Sequence, residues 1–101
     1  MQFLVVLTQD WTALRDRTDL DELIGAERLV GAELRKAGTL QQIWRLPGQR
    51  ANVGVWRAAD ATDLHRQLSR LPLWPWLTAR VDALAAHELT GPLDPVEGGA
   101  R

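Results

Sequence analysis

The chain has 101 residues, 46% of them apolar and 25% charged, a composition that fits one folded domain and not a disordered segment. Twelve basic residues against thirteen acidic ones give a net charge of −1, which removes the electrostatic footprint of a nucleic-acid binder and any pull toward anionic lipid. Cysteine is absent, which excludes disulfides, thiolate metal sites and cysteine nucleophiles together and makes a reduced, cytoplasmic setting the expectation.

Residues 2 to 8 are apolar and β-branched and predict a buried strand. The run Phe3 to Leu7 is too short to cross a bilayer, and no cationic segment precedes it as a secretory signal would require. Asp10 to Thr18 reads as a connector with some helical character. Leu20 to Ala37 takes up helical spacing, with Gly38 as its C-cap. Leu40 to Leu46 predicts a strand, Pro47 and Gly48 a turn, and Ala51 to Trp56 the hairpin partner. Ala61 to Leu71 predicts a second helix, capped by Asp60 or Thr62 and stopped by Pro72, and Leu77 to Ala86 a last strand.

The sum is β-α-β-β-α-β, an α+β ferredoxin-like sandwich over residues 1–90. A flexible tail or inter-subunit arm is expected over 91–101. Two helices cover one face of a four-stranded sheet, yet the first strand is apolar on both faces: Phe3, Val5 and Leu7 point one way, Leu4 and Val6 the other. A second copy of the chain, packed sheet against sheet, is the economical cover. A tail or loop folded over that face is the alternative.

On a helical wheel of about 100° per residue, Leu20, Leu23, Ile24, Val30, Gly31 and Leu34 fall in one arc of about 120°. Glu27 lies near the middle of it, whereas Asp21, Glu22, Arg28, Glu33, Arg35 and Lys36 lie outside. A buried carboxylate has a raised pKa, which suits a general base. The competing reading is a helix-edge glutamate paired with an arginine. In the hairpin, a turn over Pro47 to Arg50 sets Arg45 opposite Asn52 on one sheet face. A guanidinium beside a carboxamide can hold a carboxylate or an oxygen that gains charge; a solvent-facing or interfacial polar pair is the alternative.

His65 and His87 have no third ligand at metal-binding spacing, so no metal is expected. Ser69 belongs to no Ser-His-Asp set, and the glycines form no phosphate loop. Trp44, Trp56, Trp74 and Trp76 read first as core or interface. Trp44 and Trp74 are the tryptophans put forward for substrate contact, Trp74 because Pro72 and Pro75 fix its loop.

The segments Leu34-Arg35-Lys36-Ala37-Gly38-Thr39, Ile43-Trp44-Arg45-Leu46-Pro47-Gly48, Ala51-Asn52 and Leu71-Pro72-Leu73-Trp74-Pro75 together resemble the muconolactone delta-isomerase family, from about Phe3 to His87. Glu27 falls where that family places its proposed proton-transfer base. The resemblance implies a ferredoxin-like fold, pairing through the sheet into an α+β-barrel dimer or a larger ring up to a decamer, and no metal or organic cofactor. It implies a cofactor-free isomerase of aromatic-compound breakdown, turning muconolactone into 3-oxoadipate enol-lactone. The chain departs from the family at Leu4, Val6, Arg50, Val53 and Gly54 and lacks tyrosine, changes that bear on the substrate more than on the fold.

The expectation is therefore proton transfer on a small unsaturated lactone, with Glu27 as base and Arg45, Asn52, Trp44 and Trp74 as substrate contacts. Two other classes compete with it. One is a biosynthetic cyclase or cofactor-free oxygenase with a large pocket lined by Trp44, Trp56 and Trp74. The other is a non-catalytic oligomeric binding module.

Overall fold

The computed structural model describes residues 1–91; the tail expected over 91–101 lies, but for Gly91, outside the described residues. Strand β1 (Gln2–Gln9) leads into a single turn of helix, α1 (Trp11–Leu14), and then into the long helix α2 (Leu20–Ala37). β2 (Leu40–Arg45) and β3 (Ala51–Arg57) form the hairpin. α3 (Ala61–Leu68), a 3₁₀ turn over Trp74–Trp76 and β4 (Leu77–Leu84) complete the chain. The four strands lie in the order β2-β3-β1-β4, every neighbouring pair antiparallel, which is the ferredoxin-like arrangement.

Local chemistry explains the boundaries. Gly38 ends α2 with φ +81°, a left-handed conformation that glycine adopts without strain, and its N–H donates to the Arg35 carbonyl. Gly48 takes φ +75° in the hairpin turn for the same reason. Asp60 caps α3 by accepting from the N–H of Asp63 at 2.8 Å. α3 stops at Leu68, three residues before the expected Leu71. The amides of Arg70 and Leu71 donate to Gln67 and Leu68, so the helix tightens into i→i+3 bonds ahead of Pro72, which disfavours helical backbone at Leu71.

One sheet face carries the core. Phe3, Val5 and Leu7 of β1 are buried there against Leu34 of α2 and Leu64 and Leu68 of α3, with Trp56 beside them. The stripe predicted on α2 does face inward, and the acidic and basic residues predicted outside it are exposed. Only Leu34 of the stripe is fully buried, however; Leu20, Leu23, Ile24, Val30 and Gly31 are half-buried. On the opposite sheet face Leu4 and Val6 are half-buried, and Trp44, across from Val53, is exposed. β2 carries a register shift between Leu40 and Gln42, so that Gln41 is an extra residue against β3. Gln41 is pinned on both sides: its carbonyl accepts from the Arg35 guanidinium, and its side-chain oxygen accepts from the Gln2 amide at 2.8 Å. Among the described residues no helix is long and apolar enough to cross a membrane.

Candidate functional site

Glu27 projects from α2 into a cavity of about 150 Å³ between that helix and the sheet. Leu7, Leu34, Leu40 and Leu71 supply apolar walls, and Asn52 and Trp56 reach it from β3. The carboxylate is half-buried, and Oε1 accepts a hydrogen bond from the backbone N–H of Leu73 at 3.0 Å. Burial pushes its pKa above the ordinary glutamate value, and the Leu73 N–H opposes that rise without cancelling it. Among the described residues no arginine or lysine forms an ion pair with Glu27, so the helix-edge pairing is not formed there.

The hairpin register places Arg45 directly across from Asn52, with Leu7 on the other side of Asn52. All three therefore belong to the sheet face that α2 covers. Asn52 is a shared wall. On one side it lines the Glu27 cavity, and on the other a cleft of about 300 Å³ with Arg45, Arg50, Gln9 and Gln49. Arg50 is held over the Trp11 ring at 3.9 Å, which fixes a second guanidinium at the rim. The inner cavity has room for little more than one small ring, and the larger cleft beside it offers two cations to a charged substituent. Two residues of the inner cavity's wall carry buried polar atoms, Asn52 Oδ1 and Trp56 Nε1, with no hydrogen-bonding partner among the described residues.

Of the other two predicted contacts, one borders this site and one lies apart from it. Trp44 sits on the edge strand, across from Val53, and with Ile43, Arg45 and Asn52 lines a further cleft of about 320 Å³. Trp74 meets His65 edge to face at 5.8 Å and lines a separate cleft beside α3. Trp44, Trp56 and Trp74 therefore line three different pockets, and the large aromatic-lined site that a cyclase would use is not formed among the described residues. Sequence reasoning missed the Leu73 N–H and the cation of Arg50, and it named Trp56 only as a pocket wall of the cyclase alternative. Arg50 had a signal, since it sits two residues before Asn52 at the hairpin turn; the places of the Leu73 N–H and the Trp56 indole depend on tertiary approach. Among the described residues no group of three His, Asp or Glu is placed to hold a metal ion.

Comparison with known proteins bears on this geometry. The family model described as muconolactone delta-isomerase matches residues 1–89. A muconolactone delta-isomerase of Rhodococcus opacus is 34% identical over 67 residues, covering 66% of this chain and 72% of the relative. Muconolactone delta-isomerase 2 of Acinetobacter lwoffii is 31% identical over 87 residues, covering 86% of this chain and 91% of the relative. A solved structure of muconolactone isomerase superimposes with a TM-score of 0.81 at 30% identity, covering 93% of this chain and 98% of that one. With the family model matched from end to end of the sheet and helices, the chain belongs to the muconolactone delta-isomerase family.

Proposed function

We propose that the protein is an isomerase that moves a carbon–carbon double bond in a small unsaturated lactone by proton transfer, with Glu27 as the base. The substrate is muconolactone, as the names of its relatives suggest, or a lactone close to it, and the product of muconolactone is 3-oxoadipate enol-lactone. The observation that carries the reading is a carboxylate with a raised pKa, free of an arginine partner among the described residues, inside a cavity of single-ring size. Such a group is ionised often enough to take a proton and basic enough to take it from carbon.

In a butenolide the γ-proton is made acidic by conjugation with the lactone carbonyl. Glu27 removes it, the electron pair spreads into the ring, and a dienolate forms. The resulting carboxylic acid returns the proton at the α-carbon. One base suffices when both carbons lie on the same face of the ring, and no cofactor enters these steps. Arg45, with Arg50 beside it, holds the carboxylate of the substrate in the outer cleft, and Asn52 separates that charge from the reacting ring. Trp44, which shares a cleft with Arg45 and Asn52, remains a candidate for substrate contact, and Trp74 remains one only where a neighbouring subunit brings it to a site.

The reading includes a homo-oligomer in the cytoplasm. Leu4, Val6, Val53 and Trp44 form an apolar patch on the sheet face that carries no helix, bordered on β4 by the Arg80–Asp82 pair. A second copy laid sheet to sheet would cover it. Light scattering at micromolar concentration is expected to return at least twice the chain mass, and a single chain mass refutes the assembly.

The chemistry is tested with muconolactone in deuterated water. Solvent deuterium is expected at the α-carbon of the product whenever Glu27 exchanges its proton before returning it. Arg45→Ala is expected to raise KM with a smaller effect on kcat, as loss of ground-state binding does. Normal turnover by Glu27→Gln on a substrate that the wild type converts would end the proposal.

A further inference from the structure

Trp56 forms part of the wall of the Glu27 cavity, 1% exposed, with its Nε1–H buried and unpaired among the described residues. A buried donor without an acceptor costs about 1–3 kcal/mol. Phenylalanine would fill most of the same space without that cost, so the N–H calls for an acceptor that comes from outside the chain. The indole edge also sits in a gap that only glycine leaves. A Cβ at Gly54 would stand 3.2 Å from Nε1 and 3.0 Å from the Gln42 carbonyl oxygen. On the same strand face, Asn52 Oδ1 is buried and equally unpaired. The wall of one cavity is thus built from two residues with unsatisfied polar atoms and one carboxylate, among leucines.

We propose that Trp56 Nε1–H is the donor that binds the lactone carbonyl oxygen of the substrate, joined there by the Asn52 carboxamide turned to present Nδ2–H. The assignment rests on the proton-transfer reading of Glu27. When the γ C–H bond breaks, its proton goes to Glu27 and its electron pair moves through the ring until the carbonyl becomes C–O⁻. The indole and amide N–H groups meet that charge. When the α C–H bond forms, the pair returns from oxygen, the carbonyl is restored and Glu27 is again a carboxylate. Both donors are neutral, and this matters for the base. An arginine in their place would hold the Glu27 pKa down, whereas neutral donors leave it raised by burial. Two N–H groups meeting one oxygen among leucine side chains stabilise an oxyanion more than the same donors would in water.

The experiment has two arms. In ¹⁵N-labelled wild type, the Trp56 indole resonance is identified by cross-relaxation to the Gly54 α-protons. The protein is then titrated with tetronic acid, an enolised lactone whose charged oxygen stands for the dienolate. The resonance is expected to move downfield and saturate, in the wild type and in Glu27→Gln alike. In the second arm, Trp56→Phe is expected to lower kcat on muconolactone, or on whichever lactone the wild type turns over, by about 10²–10³-fold, the loss attributed to one oxyanion donor, with KM little changed. An indole resonance unmoved at millimolar tetronic acid, as when a buried water already occupies it, overturns the proposal. So does wild-type kcat in Trp56→Phe. The indole arm needs neither turnover nor a variant that folds, so it is decided even if Glu27→Gln retains activity. Conversely, an inactive Glu27→Gln with an unmoved indole keeps the base and removes the donor.

Discussion

The two main helices pack on the same sheet face, yet they are built to different standards. α3 is eight residues long, carries a side-chain cap from Asp60, and buries Leu64 and Leu68 to 3% and 2% exposure. α2 is eighteen residues long, receives no side-chain cap from Asp19, and buries only Leu34 completely, with a glutamate in the middle of its inward stripe. The short helix closes the core. The long one leaves its inward stripe half-buried, and the Glu27 cavity lies between it and the sheet. Cavities and half-buried carboxylates both lower stability, so α2 gives up packing where α3 does not.

The largest effect expected of this contrast is kinetic. Glu27→Gln keeps the size of the side chain and its acceptance of the Leu73 N–H, but it cannot accept a proton. Turnover of a lactone that the wild type converts should fall about 10²–10⁴-fold, while the thermal midpoint at neutral pH holds or rises. A variant that lost activity by unfolding would break the contrast. Next comes packing. Leu64→Ala or Leu68→Ala should cost about 2–5 kcal/mol in denaturant unfolding. Leu23→Ala, half-buried on α2, should cost clearly less, and equal costs would mean that the two helices are packed alike.

Capping gives a smaller difference. Asp60→Ala should lose about 1 kcal/mol with the cap. Asp19→Ala should lose a few tenths at most, since only its exposed pair with Arg17 goes. The smallest effect is in the pH dependence of stability. Because burial raises the Glu27 pKa in the folded state, the folded protein keeps that proton to higher pH than the unfolded chain does. Its contribution is greatest below the unfolded glutamate pKa, declines as pH rises toward the folded one, and is flat above. Subtracting the wild-type stability curve from that of Glu27→Gln should therefore show a gain for the variant that grows across that window. Activity runs the opposite way, since the base must be ionised: it should fall as pH drops through the same raised value.

Much of this was legible in the residues, and the rest was hidden for identifiable reasons. Element order, the strand pairing and the inward aim of Glu27 follow from local periodicity, which the tertiary structure respects. The pairing of Arg45 with Asn52 followed from turn length alone. The overextended end of α3 shows a local rule misjudged: Pro72 acts one residue upstream of itself and shortens the helix further by inviting i→i+3 bonds. Which groups share a cavity was not legible. The Leu73 N–H comes to Glu27 from 46 residues away, and the unpaired state of the Trp56 indole is a property of everything around it. Sequence periodicity says which way a side chain points and nothing of whether its polar atom finds company.

The extra residue in β2 decides more than the shape of an edge strand. Side chains alternate along a strand, so Leu40, which faces the core opposite Trp56, would in a regular ladder put Trp44 on the core side and Arg45 on the other. Gln41 shifts the count by one. Beyond it the inward positions are Ile43 and Arg45, opposite Gly54 and Asn52, and Trp44 turns to the helix-free face. A single inserted residue thus works as a selector that sends the guanidinium to the face of the Glu27 cavity and the indole to the face that carries no helix. Drawing Gln41 into the ladder opposite Val55 would exchange the two in one step, trading a guanidinium for an aromatic ring at the mouth of the cavity; deleting it would not, since Gln42 would then follow Leu40 directly and Arg45 would keep its place opposite Asn52.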